Sequence, residues 1–189
     1  ALQLLTGSKK VETLVITPTR ELTSQVSDEL RNLGKGINAK IATVYGGKSI
    51  QSQIDSIKGG AQVVVATPGR LLDLLKSGKV PSFKPSLVIV DEADEMLDMG
   101  FLEDIQAIFE FMPSQRQTLL FSATMPPAIQ KLGKKILNDP MLVKVTASQT
   151  SSADITQSYC ILSEPERDEA VIRLFEAEEM DKVILFCKT

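Results

Sequence analysis

Six short stretches of this chain are almost purely apolar and rich in β-branched residues: TLVIT from Thr13, KIATVY from Lys40, AQVVVAT from Ala61, SLVIVD from Ser86, TLLFSAT from Thr118 and MLVKVT from Met141. Runs of this length without polar alternation belong to strands buried on both faces. Helical periods lie between them. Leu22, Val26, Leu30 and Leu33 share one face, Ile50, Ile54 and Ile57 another, and Phe101, Ile105, Ile108 and Met112 a third. Gly59 and Gly60 end the second of these helices and Pro113 the third. Strands separated by helices need right-handed crossovers, so the expected class is α/β, a parallel sheet with helices on both faces.

The 189 residues exceed the usual domain by about a third. After MLVKVT comes ASQTSSAD, small and polar, read as a linker over 147–154. Beyond it ITQSYCIL reads as a strand, Glu164 to Glu179 as a helix with Val171, Leu174 and Phe175 inward, and KVILF as a further strand. This is the opening of a second α/β unit. The chain begins on Ala and closes inside an apolar run, so both ends are expected to be cuts in a longer protein.

Composition removes several chemistries. There is no histidine, which excludes His-dependent triads and His-ligated zinc and leaves acid/base work to carboxylates. Cys160 and Cys187, the two cysteines, sit in apolar settings that suit reduced core residues. A net charge of −3 argues against coating nucleic acid by bulk charge but leaves room for a local phosphate-binding strip. No apolar run approaches the roughly 18 residues of a membrane span, and with no export signal a cytoplasmic setting is expected.

One pattern occurs twice after a strand, Thr-Pro-x-Arg-x-Leu, with Thr17, Pro18, Arg20 and Leu22 and again with Thr67, Pro68, Arg70 and Leu72. Threonine caps helices and proline suits the first helical position, so two well-capped helices explain it. Two helix N-termini with an Arg beside each would equally make a strip for successive phosphates. Both readings stand. Gly46 and Gly47 at a strand end indicate a turn or a close backbone approach to a ligand. In LVIVDEAD a buried strand runs into Asp91 and Glu92 at its carboxyl edge, where open α/β sheets bind ligands. An Asp there can hold Mg²⁺ and an adjacent Glu can activate water; alternatively Asp91 caps an acidic helix start. Ser122 and Thr124 end another strand, as a relay to those carboxylates or as a cap for the helix of Ile129, Leu132 and Ile136, the cap being the simpler reading. The segment Thr6 to Lys10 mimics a phosphate loop but has one glycine before its lysines and no Ser or Thr after them, so it reads as a turn.

In order and approximate spacing, PTREL, GG, TPGR, DEAD, GF followed by DI, SAT and the terminal ILFCKT resemble the DEAD-box family of ATP-dependent RNA helicases. The resemblance covers essentially the whole chain. It implies a first RecA-like domain over 1–146, the linker, and the start of a second RecA-like domain over 155–189. It implies that Asp91 holds the Mg²⁺ of ATP, usually through water, that Glu92 activates the hydrolytic water, and that Asp94 is tied to Ser122 and Thr124, the motif that couples hydrolysis to closure of the two domains. It further implies that Pro18, Thr19, Arg20, Gly46, Gly47, Thr67, Pro68, Gly69 and Arg70 grip the RNA sugar-phosphate backbone, which carries no sequence information. In such enzymes ATP closes two domains over a bent RNA strand and a short duplex is opened locally.

The family's phosphate loop, adenine-reading motif and second-domain arginines do not occur in these 189 residues. Phosphoryl transfer is mostly positioning and charge stabilisation, so the chain alone is expected to hydrolyse no ATP above background. RNA-stimulated phosphate release from it at the full enzyme's rate would refute this. The competing readings are a non-catalytic RecA-like module that binds RNA or protein, and another two-domain ATPase such as a DNA translocase.

Overall fold

The computed structural model describes residues 1–80, 83–144, 156, 158–178 and 181–187. It divides into two compact units, 1–141 and 142–189. In the first unit five parallel strands, β1 (Thr13–Ile16), β2 (Ile41–Val44), β3 (Val63–Ala66), β4 (Leu87–Val90) and β5 (Gln117–Leu120), form one sheet in the order β2-β3-β1-β4-β5. Six helices accompany them: α1 (Arg20–Leu33), α2 (Ile50–Lys58), α3 (Pro68–Lys76), α4 (Ala93–Asp98), α5 (Leu102–Glu110) and α6 (Pro127–Ile136).

Successive strand side chains point to opposite faces, and the two faces are covered unequally. Leu14, Ile16, Val44, Val64, Val88 and Val90 join residues of α2 to α6, among them Ile54, Leu71, Met96, Ile105 and Ile129, in one large core. The other face buries Val15, Val63 and Val65 beneath Val26 and Leu30 of α1, with Leu5, Ile41 and Ile89 at the margin. The apolar stripe expected on α1 is therefore partly displaced. Leu33 is exposed, while Thr23 and Ser27 are fully buried. Small hydroxyl residues let α1 approach closely, and their polar atoms are satisfied: Ser27 donates to the Thr23 carbonyl at 2.7 Å.

Residues Thr6 to Lys10 form the expected turn, with Gly7 at φ +79°. The Thr6 N–H and the Ser8 hydroxyl each donate to the Glu12 carboxylate at 2.8 Å. Burial works to raise the Glu12 pKa, but these bonds outweigh it and hold the carboxyl below its ordinary value.

Arg116 ties the far edge of the sheet together. Its guanidinium donates to Thr118 Oγ1 (3.1 Å) on β5, to the Pro113 carbonyl (2.6 Å) after α5 and to the Ile136 carbonyl (3.3 Å) ending α6, and it lies 4.9 Å from the Phe109 ring centre. Partial burial lowers its pKa. Arg116→Ala is expected to cost about 1 to 3 kcal/mol of stability by leaving these acceptors unpaired, measured by urea unfolding of the full-length protein.

The second unit departs from expectation. Its one α-helix among the described residues is α7 (Arg167–Ala177), entered through a 3-10 turn at Glu164–Glu166 with a Ser163–Glu166 capping box. Leu174 and Phe175, expected inward, are exposed, as are Cys160 and Cys187, expected in a core. The described residues of ITQSYCIL and KVILF form no strand, nor do Met141 to Lys144 of MLVKVT. A β-type sequence becomes a strand only when neighbours complete its ladder, and no paired strand accompanies these segments among the described residues. The linker expected over 147–154 lies outside the described residues, as do Glu179 and parts of MLVKVT and ITQSYCIL.

Candidate functional site

The parallel register aligns the strand ends: Ile16 pairs with Ala66 and Val90, Val44 with Ala66, and Val90 with Leu120. The next residues, Thr17, Tyr45, Thr67, Asp91 and Phe121, therefore emerge side by side along the carboxyl edge. The candidate residues follow from that edge.

The two Thr-Pro-x-Arg copies fold differently, which corrects the equal capping expected of them. In the first, Thr17 is fully buried and its hydroxyl lies 2.7 Å from that of Thr23. The cap is Thr19, whose side chain accepts the Leu22 N–H at 3.2 Å, so Pro18 precedes the helix. In the second, Thr67 occupies the cap position and Pro68 is the first residue of α3, buried, with no side-chain cap bond. Thr17 is diverted because a buried hydroxyl is better satisfied by Thr23 than by a frayed helix end.

Both helix starts open onto one cleft of about 500 Å³. Pro18, Thr19 and Arg20 line it from the first copy, Thr67, Gly69 and Arg70 from the second, and Gly46 from the turn after β2. Gly47 adjoins it under the Arg20 guanidinium, and Arg70 Nη1 donates to the Lys48 carbonyl at 2.8 Å. Pro68 does not line it. Glu21, Met99 and Phe101 line it without having been expected to. Phe101 was assigned to a core stripe; at the cap position of α5 it is half-buried, packing on the core while reaching the cleft. Gly100, at φ +80°, makes the turn that carries Met99 and Phe101 there.

Asp91 and Glu92 follow β4. The cap position of α4 belongs to Glu92, not Asp91, and Glu92 holds a left-handed backbone at φ +52°. Asp91 Oδ1 instead accepts the Glu92 N–H at 3.1 Å. A non-glycine residue held left-handed stores strain of order 1 to 3 kcal/mol, a feature that clusters at functional sites. Both carboxylates lie at least partly open to solvent.

Asp94, the second residue of α4, binds the segment after β5. Its N–H donates to Ser122 Oγ at 3.1 Å, and its Oδ2 accepts both the N–H and the hydroxyl of Thr124 at 2.8 Å. Burial acts to raise the Asp94 pKa, but the Thr124 and Ser122 hydrogen bonds prevail and bring it down to about 2. Ser122 and Thr124 do not cap α6, whose cap position is Pro126.

The edge thus presents a cationic cleft with two helix N-termini, a carboxylate pair, and a short helix joining the two. The model of the family described as DEAD/DEAH box helicase matches residues 1–132. The chain belongs to this family. It is 49% identical to the DEAD-box ATP-dependent RNA helicase RhpA of Helicobacter pylori, over 98% of this chain and 38% of that protein. It is 43% identical to the DEAD-box ATP-dependent RNA helicase CshA of Streptococcus pneumoniae, over 99% of this chain and 36% of the relative. Among solved structures, a DEAD box protein from the hyperthermophile Methanococcus jannaschii matches with a TM-score of 0.73 and 42% identity, over 93% of this chain and 47% of that one. The fold is therefore RecA-like, as the motifs implied, and this DEAD-box chain spans less than half the length of each of these relatives.

Proposed function

We propose that this chain supplies the RNA-gripping and water-activating edge of the first RecA-like domain of an ATP-dependent RNA helicase, with that domain over 1–146 and a second beginning near 155. The observation that carries the reading is the single cleft that gathers Arg20, Arg70 and the N-terminal ends of α1 and α3. Free N–H groups at a helix start and a guanidinium beside them recognise phosphate oxygens, and two such ends match successive phosphates of one strand. Such contacts leave the bases unread, which suits binding without sequence preference.

The donor set at Asp91 and Glu92 fits a magnesium nucleotide. Mg²⁺ is commonly held by one or two carboxylates together with substrate phosphates and waters, and no cluster of three or more His, Cys, Asp or Glu able to hold a metal alone occurs among the described residues. When bound, the ion neutralises charge developing on phosphate oxygens. Asp91 would orient it, and Glu92 would take the proton of the attacking water. Helix α4 then links the two halves: six residues, about 9 Å of helix, run from the carboxylates to Met99 at the cleft. Asp94 within it grips Ser122 and Thr124, the residues that the family resemblance associates with domain closure.

The test is binding of a fluorescent oligouridine to the full-length protein across a salt series, with a non-hydrolysable ATP analogue present. Arg20→Ala and Arg70→Ala are each expected to weaken binding about tenfold and to flatten the log-log salt slope by about 0.7. An unchanged slope in both would return the two helix starts to simple capping.

A further inference from the structure

We propose that the turn Gly46–Lys48 is a bracket that positions the two cleft arginines, and that Gly47 serves it through the space it leaves for the Arg20 guanidinium. The proposal rests on the RNA-backbone reading of the cleft. A side chain at Gly47 would place its Cβ 2.8 Å from Arg20 Nη1 and 3.3 Å from Arg20 Cζ. The guanidinium therefore occupies the volume where any other residue would carry its side chain. At Gly46 the corresponding distance to Arg20 Nη2 is 3.4 Å, a much milder conflict. On the other side of the turn, the Lys48 carbonyl accepts Arg70 Nη1 at 2.8 Å. One three-residue turn thus meets a guanidinium from each helix start, Arg70 by a hydrogen bond and Arg20 by the open space over Gly47.

The turn is itself anchored. Gln53 of α2, 4% exposed, donates through Nε2 to the Tyr45 carbonyl at 2.9 Å, and Lys48 Nζ lies 4.8 Å from the Tyr45 ring centre. Gly47 sits at φ +90°, a backbone that disfavours side chains, so strain and displacement must be separated. They separate because Arg20 is exposed and its far end is flexible. A Cβ at position 47 displaces the guanidinium at little cost in folding, whereas the φ strain is felt whether or not Arg20 is present.

The experiment is a double-mutant cycle on the full-length protein, reading oligouridine affinity and its salt slope beside thermal unfolding. Gly47→Ala is expected to weaken binding about tenfold and flatten the slope by about 0.7, as Arg20→Ala does, and the double variant to bind no worse than Arg20→Ala alone. Additive losses, near a hundredfold in the double variant, would overturn the proposal by showing that Gly47 meets the ligand itself; so would unchanged binding by Gly47→Ala. If Arg20→Ala alone leaves affinity and slope unchanged, the bracket fails; if Arg70→Ala does so too, the RNA reading of the cleft fails with it. Arg70→Lys tests the other arm without touching the glycine. It keeps the charge but loses the guanidinium fork, so affinity is expected to fall several-fold with the salt slope retained, and full affinity would contradict the bracket.

Discussion

Glu92→Gln in the full-length protein is expected to cut ATP turnover by at least about a hundredfold while nucleotide binding persists, because a positioned general base contributes about 10² to 10⁴ in rate. The substitution is nearly isosteric. The Glu92 N–H still donates to Asp91 Oδ1, and the left-handed backbone at φ +52° is unchanged in kind, since Gln is no less able to adopt it than Glu. What disappears is the ability to accept a proton. Single-turnover hydrolysis and fluorescent-nucleotide binding measured side by side separate the two functions. Turnover within a factor of two of the parent would place the base on another residue.

The second large effect is expected at Asp94. Asp94→Ala removes the acceptor of two hydrogen bonds from Thr124, so α4 and the segment after β5 keep only the backbone bonds from residue 94 to Ser122 Oγ and from Ala93 to the Phe121 carbonyl. Thr124 is exposed and water can replace the carboxylate, which limits the stability loss to about 1 kcal/mol. Duplex opening should fall at least tenfold, and by more than ATP hydrolysis falls, because the substitution spares Asp91 and Glu92. Equal losses in the two activities would show that Asp94 serves hydrolysis alone. The same pair has a pH signature. The folded-state pKa lies near 2, below the ordinary 3.8, so its contribution to stability is present above 3.8 and is lost as pH falls towards about 2. Acid unfolding of Asp94→Ala should accordingly show a weaker dependence on pH in that window.

The three central strands β1, β3 and β4 were legible because a strand buried on both faces has few acceptable residue types, and TLVI, VVVA and LVIV show little else, whereas the edge strands β2 and β5 are only partly buried, short of the two-sided burial expected of them. The same signal misled at MLVKVT and KVILF, since apolar β-branched residues report what a segment needs and not whether a neighbour is there to supply it. On α1 the expected stripe holds at Val26 and Leu30 but not at Leu33, because the buried face also takes in Thr23 and Ser27, and small hydroxyl residues carry no periodic apolar signal. At the site, the identity of the arginines, glycines and carboxylates could be read from motif order. Their division of labour could not. That Thr19 caps α1 while Thr17 turns inward to Thr23, and that Glu92 takes the left-handed position, depends on hydrogen-bond partners brought together by the fold. Met99 and Phe101 were hidden for a related reason: an aromatic at helical spacing looks like core whether or not its other edge reaches a cleft.

On the proposed function, the cleft between α1 and α3 holds RNA and its occupation reaches Glu92 through α4. The most direct test is the RNA concentration giving half-maximal ATP turnover in the full-length protein carrying both Arg20→Ala and Arg70→Ala. A rise of about a hundredfold is expected, from two lost charge-assisted contacts of about tenfold each. A half-maximal concentration equal to the parent's would contradict it, because RNA would then be reaching the carboxylates by a route that does not pass through this cleft.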